Sequence, residues 1–278
     1  MKYRALSTLG LWLMVGLILA GFNYWHQAPL GGFLTLLALG LLAQNELYTI
    51  LQKAGATPRK GLGLVLGAAI YTAVFLGYIT LTPLLAYIAI IWAGILISLL
   101  TRPTKIPAWI LQFSTFFGVA YIPFMLSFFL ALTPYHSNGD SLLGLWQAIW
   151  IIAATKFTDV GGLIIGIPFG KHKIAPQVSP AKSLEGCLGG LLFSVIVGAG
   201  LALAYQSFAI PFMSWQRAAI SALPLALLSI PSDLVESFLK RRAEVKDSGH
   251  NIPGIGGALD LVDSLILVAP VGYLLFNH

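Results

Sequence analysis

Charge is scarce in this 278-residue chain: 9% of its residues are Asp, Glu, Lys or Arg, against 58% hydrophobic, and the mean hydropathy is +0.86. A soluble domain carries about 25% charged residues, so a water-soluble globule of this length would lack the polar surface to cover itself. The chain reads as an integral membrane protein. Cysteine is scarcer still. The single thiol, Cys187, excludes a disulfide scaffold and lies in an apolar run where a plain buried thiol is expected. The same composition excludes disorder and a fibrous repeat. No internal repeat, low-complexity tract or linker-like stretch divides the chain.

Apolar sequence is what the chain has in quantity. A hydrocarbon core about 30 Å thick takes about 20 mainly apolar residues per helix. Nine such segments lie near 7–23, 29–47, 61–79, 83–100, 108–132, 144–168, 185–206, 216–239 and 259–276. The expected fold is an all-α integral membrane protein with about nine transmembrane helices. Residues 1–140 are read as N-terminal scaffold helices and 141–278 as a C-terminal catalytic region, in one continuous membrane domain. Lys2 and Arg4 precede the first apolar run, and no clean small-residue cleavage site follows it, so it reads as a signal anchor.

The placement of the bases orients this layout. Lys2 and Arg4, then Lys53, Arg59 and Lys60, Arg102 and Lys105, Lys171, Lys173 and Lys182, and Lys240, Arg241, Arg242 and Lys246 all fall on one side of the expected helices. Only Arg217 falls opposite, and Lys156 lies inside a helix. Short basic loops face the cytoplasm, which puts the N-terminus there. The net charge of +6 then reports topology and attraction to anionic headgroups, with no nucleic-acid partner implied. A multi-pass protein of a bacterial inner (plasma) membrane is the simplest localisation.

The acids are unevenly placed. Glu46 and Asp140 alone precede residue 150, while the other eight, from Asp159 to Asp263, lie in the second half. Lys156 and Asp159 interrupt an apolar helix at i, i+3, where an ionisable residue is costly and usually retained for a site; an ion pair that only fixes packing is the plainer reading. Gly161, Gly162 and Gly166 follow, suiting either close helix approach or a ligand against the backbone. The loop from Gly166 to Gly186 holds Lys171, His172, Lys173, Ser179, Lys182 and Ser183. Such a loop offers ammonium groups and backbone N–H groups to phosphates, although any cytosolic loop is expected to be basic. Ser179 or Ser183 also suits the cap of the following helix.

Asp233, Glu236, Ser237, Lys240 and Arg241 recur at helical spacing, so acid, hydroxyl and base form one polar stripe. On a cytosolic helix end such a stripe is often only solvated, but this one begins inside the bilayer. Asp260 and Asp263 open the last helix at i, i+3, where the helix dipole favours acids even without a ligand. With Asp233 they offer hard oxygen ligands suited to Mg²⁺ and, lacking a Cys or His pair, unsuited to zinc. Lysines and paired carboxylates at the cytoplasmic ends of the C-terminal helices describe metal-assisted phosphate chemistry, with one substrate in lipid and one in water.

At this point the residues resemble a known family. Ser237, Lys240, Arg241, Lys246 and Asp247, followed by Pro253, Gly254, Gly256, Gly257, Asp260, Asp263 and Ser264, resemble the signature of the phosphatidate cytidylyltransferase (CDP-diacylglycerol synthase) family. Asp159, Gly161 and Gly162, with the block from Phe169 through Ser179 and Lys182 to Gly186, are similar to its second conserved stretch. The resemblance covers roughly residues 150–276. It implies a nucleotidyltransferase of phospholipid biosynthesis that transfers CMP from CTP to phosphatidate, giving CDP-diacylglycerol and pyrophosphate with Mg²⁺ as cofactor.

The resemblance assigns the metal ion to Asp233, Asp260 and Asp263, and catalysis to these with Lys240, Arg241 and Asp247. It assigns the phosphates to Lys171, Lys173, Lys182, Ser179, Ser237, Lys246, Gly256 and Gly257, with Lys156 and Asp159 beside them. Two departures stand out: Ile255 and Leu261 occupy places where the family usually has His and Arg. They keep open a related transferase acting on another lipid phosphate, and a non-catalytic family member or carrier. The number of ions and a homodimer are left open as well.

Overall fold

The computed structural model of the chain describes residues 28–78, 110, 113–133, 141–249 and 256–276. The segments expected at 7–23 and 83–100, with Asp140, His250 and Ile255, lie outside the described residues. Within the described residues the chain is helical and forms no strand. The helices are α1 (Ala28–Lys53), α2 (Lys60–Phe75), α3 (Ser114–Ala131), α4 (Ser141–Phe169), α5 (Leu184–Ser207), α6 (Trp215–Arg242), α7 (Ala258–Val262, continued by a 3₁₀ turn Asp263–Leu265) and α8 (Val268–Phe276). Five of them, α1, α3, α4, α5 and α6, are long and apolar enough to cross a membrane, or six spans if α7 and α8 are taken together. The expected segment 61–79 is a helix of 16 residues, shorter than these. This is an all-helical membrane protein.

The chain folds into two compact units. The first contains α1, α2, α3, the end of α6 from Leu239 and the stretch through Asp263; the second contains residues 143–238 and 264–278.

The first unit is built on buried aromatic and aliphatic side chains, among them Leu47, Tyr48, Leu51, Tyr71, Ile122 and Phe128. Tyr48 also carries a polar tie. Gln44 Nε2 donates to the Tyr48 hydroxyl at 3.0 Å and to the Gly63 carbonyl at 2.9 Å, and the hydroxyl donates to the Thr115 carbonyl at 2.7 Å. A buried polar group without such partners would be costly; here the Gln44 amide ties α1 to α2 and the Tyr48 phenol ties α1 to α3. Pro123, which has no N–H to give, sits in a wider π turn (Ala120–Phe124) inside α3.

In the second unit α4 and α5 touch backbone to backbone. A Cβ at Gly186 would meet the Gly162 carbonyl at 2.9 Å and the Gly166 Cα at 3.1 Å, and one at Gly161 would meet the Gly189 carbonyl at 2.7 Å. The glycines at 161, 162 and 166 therefore serve close helix approach. Gly186→Ala has no room to be accommodated in place. Overpacking of this kind costs about 1–3 kcal/mol, so a lower thermal midpoint in detergent is the expected result, while Gly200→Ala, with open space around it, should leave it unchanged.

Further along, Trp150 is fully buried, donates its indole N–H to the Gly198 carbonyl at 2.8 Å, and lies 5.8 Å from the rings of Phe212 and Phe276. Outward from this core α5 presents Leu188, Leu192, Ile196 and Leu203, each more than half exposed. Such a stripe on a long helix would be an aggregation site in water and is the natural surface in hydrocarbon.

Candidate active site

In the second unit the basic loop between α4 and α5 is folded on itself. Ser183 adopts an extended conformation and accepts the Gly186 N–H at 3.2 Å, capping α5 as one reading of the sequence expected. Glu185, in the first turn of α5, accepts the N–H groups of Lys171 and His172 at 3.1–3.3 Å and lies 2.6 Å from His172 Nδ1. Ile174 N–H to the Lys182 carbonyl and Leu184 N–H to the His172 carbonyl close the loop into a short hairpin.

Of the three lysines, Lys171 and Lys173 are exposed. Lys182 turns inward, forming an ion pair with Asp233 of α6 and donating to the Ile230 carbonyl at 3.4 Å. Beside that pair is a pocket of about 280 Å³ lined by Thr158, Asp159 and Gly162 of α4, Ser179 of the loop and Cys187 of α5. Thus Asp159, Ser179, Lys182 and Asp233, from three separate stretches of sequence, share one cavity. Lys156 Nζ lies 4.0 Å from Asp159 Oδ2 but only 2.7 Å from Ser264 Oγ, to which it donates. One turn beyond Asp233 on α6, Glu236 is fully buried, and carboxylate oxygens of the two lie within 4.8 Å. Ser237 beside it is half-buried.

In the first unit Lys240 donates to Asp260 Oδ1 at 2.7 Å, and both side chains are largely buried. Asp260 Oδ2 accepts the N–H of Gly257 at 2.8 Å and both the N–H and the hydroxyl of Ser248, at 3.2 and 2.9 Å. Gly256 has φ +123°, a conformation that glycine adopts at no steric cost. Gly257, extended at the start of α7, gives its N–H to Asp260. These two glycines shape the turn that carries Asp260. Asp263, one turn on, is 7% exposed. Arg241, Lys246 and Asp247 are exposed; of the polar stripe on α6, Arg241 alone is left fully to the outside.

Three residues with a place in these networks were weakly signalled by sequence. Glu236 was legible only as part of the stripe, and Ser248 only as the neighbour of Asp247. Glu46 of α1 accepts the N–H groups of Ala258 and Leu259 at 3.0 and 2.9 Å and the Ser248 hydroxyl at 2.9 Å. Its one signal was an acid inside an apolar run, in the half of the chain read as scaffold.

Comparison with known proteins identifies the family of the chain as a whole. The profile of the cytidylyltransferase family matches residues 2–278. The chain is 35% identical over 187 residues to a phosphatidate cytidylyltransferase of Thermotoga maritima, covering 66% of each protein. It is 35% identical over 179 residues to one of Chlamydia pneumoniae (62% of this chain, 56% of the relative) and 34% over 191 residues to one of Haemophilus influenzae (66% and 64%). The matched stretches thus span 56–66% of these curated relatives' own length.

Proposed function

This chain belongs to the cytidylyltransferase family, and from that premise we propose that it is a phosphatidate cytidylyltransferase, an enzyme that transfers CMP from CTP to phosphatidate. In this reaction a phosphate oxygen of phosphatidate attacks the α-phosphorus of CTP, the bond from that phosphorus to the oxygen bridging to the β-phosphate breaks, and pyrophosphate leaves. CDP-diacylglycerol is the product. The lipid phosphate is already anionic at neutral pH, so neither a protein nucleophile nor a strong base is needed. Positioning and charge neutralisation are what such a transfer asks of the protein.

The observation that carries this reading is the pocket beside the Lys182–Asp233 pair, where an ammonium and hydroxyl groups gather at the edge of an apolar helix bundle. Lys182 neutralises phosphate oxygens there, and Ser179 donates to them. Lys171, whose N–H is held by Glu185, and Lys173, held in the hairpin opposite Ser183, draw the triphosphate toward the site. Ser237, Arg241, Lys246 and Asp247 complete the phosphate-binding and catalytic set that the family resemblance implies.

The donor set suits a hard divalent cation such as Mg²⁺: Asp233 and Glu236 present neighbouring carboxylates, and neither is accompanied by a Cys or His pair. Asp233, with Glu236 beside it, is the proposed ligand in the second unit; Asp260 and Asp263 are the further ligands that the family resemblance implies. When bound, such an ion neutralises charge on phosphate oxygens. Asp260, whose oxygens accept hydrogen bonds from Lys240, Gly257 and Ser248, would be held by them in a fixed orientation.

The reaction takes place, in this reading, at the cytoplasmic face of a nine-span protein in the bacterial inner membrane. Basic loops, the lipid substrate and the bacterial relatives support that placement. Leu261, an apolar residue where the family usually carries Arg, favours testing a second reading in which another lipid phosphate is the acceptor. Purified protein in detergent with Mg²⁺ and labelled CTP should convert phosphatidate to a CDP-lipid. Product with a different lipid phosphate alone would establish the second reading, and no product with any would leave a binding role.

The pocket itself has a built-in reporter, because Cys187 is the only cysteine in the chain. Its alkylation by a maleimide is expected to slow when CTP and Mg²⁺ are added, as read by intact mass. Equal rates with and without nucleotide would place CTP elsewhere.

A further inference from the structure

Glu46 has no part in the chemistry above, yet few side chains in the first unit are tied so closely to the residues that do. It lies on α1, is 4% exposed, and is one of two acids that precede residue 150. Burial of a carboxylate is tolerated only where donors meet it, and here they come from a distant stretch: the N–H groups of Ala258 and Leu259 and the hydroxyl of Ser248. Space is left for it as well, since a Cβ at Gly249 would meet Glu46 Oε1 at 2.5 Å.

Asp260 works on the same stretch from the other side. The N–H of Gly257 goes to Asp260, and those of the next two residues go to Glu46. The Ser248 hydroxyl stands 2.9 Å from an oxygen of each. A hydroxyl has one hydrogen to donate, so its orientation is shared between the two carboxylates. Together they fix three consecutive N–H groups and the loop residue opposite, which leaves Asp260 Oδ1 directed at Lys240.

We propose that Glu46 is a positioning residue for the transfer reaction: by fixing Ser248 and the first residues of α7 it holds Asp260 in register with Lys240. This rests on the reading that Asp260 and Lys240 serve cytidylyl transfer, and on no contact between Glu46 and substrate.

The test compares wild type with Glu46→Gln, Glu46→Asp and Ser248→Ala in detergent, by steady-state kinetics and by amine acylation of individual lysines followed by mass spectrometry. Removing a supporting residue of this kind typically costs about 10- to 100-fold in activity. That loss is expected in kcat for Glu46→Gln, with KM for phosphatidate little changed and a partial return in Glu46→Asp. Lys240, now largely buried against Asp260, should be acylated several-fold faster in Glu46→Gln and in Ser248→Ala, while Lys182 of the second unit reacts at the wild-type rate. Unchanged Lys240 acylation, or acceleration of both lysines together, would overturn the proposal, the second result marking a general structural role. If wild type makes no CDP-lipid, it is the reading of function that fails, and Lys240 acylation still decides whether Glu46 positions Asp260. Should Glu46→Gln fail to fold, Ser248→Ala decides by the same readout.

Discussion

Asp233→Ala is expected to stop CDP-lipid formation, with kcat down by about 10³-fold, the loss that follows removal of a charge-stabilising group at a reacting centre. Two consequences of the geometry combine. The variant loses an oxygen ligand proposed for the divalent ion. It also releases Lys182 from its ion pair, leaving the ammonium to the Ile230 carbonyl at 3.4 Å and to the charge of Asp159 in the same pocket. The cost in stability should be small, because both partners of the Lys182–Asp233 pair are about one-fifth exposed, and partly solvated pairs contribute about 1 kcal/mol or less. The expected signature is an inactive protein with a near-normal thermal midpoint. Retention of a tenth of wild-type kcat by Asp233→Ala would count against the assignment of this pocket to the reaction.

Lys240→Met should behave differently, losing stability and activity together. Lys240 and Asp260 are 11% and 14% exposed in their side chains, and breaking a buried pair from one side costs about 3 kcal/mol. Gly257 and Ser248 still donate to Asp260, which tempers that figure. Activity should fall by about 10²-fold, since a positioned charge at the phosphates is lost. The double variant Lys240→Met with Asp260→Asn separates the two effects. It removes the uncompensated charge and should recover most of the thermal midpoint, but it should recover no activity. Return of activity in the double variant would reduce the pair to a structural tie.

Much of the helical layout was legible because an apolar run of membrane length has few alternatives. The segments expected at 29–47, 108–132, 144–168, 185–206 and 216–239 each coincide with a long helix. Ser183 was readable as a cap, since its hydroxyl acts on the next turn of its own chain. The glycines of α4 were readable as a contact surface, though not the partner they meet. What sequence left undecided was set by contacts between residues far apart. Spacing put three lysines on one loop, but Asp233, fifty-one residues beyond Lys182, selects which one turns inward. Glu46 carries no local signal for the same reason: its donors are 202 to 213 residues away.

That separation bears on the order of assembly. A chain made from its N-terminus at about 5–20 residues per second completes α1 well before Ser248, Ala258 and Leu259 exist. The 212 residues between Glu46 and Ala258 correspond to roughly 10–40 seconds at that rate. Throughout this interval the hydrogen bonds that join α1 to α7 have no second partner. Closing a contact across so long a stretch is an entropically late event, so docking of α7 is the step that finishes the first unit. A polypeptide cut short before residue 258 would reach the membrane with most of its hydrophobic helices in place and that last closure missing, a natural mark for quality-control proteolysis.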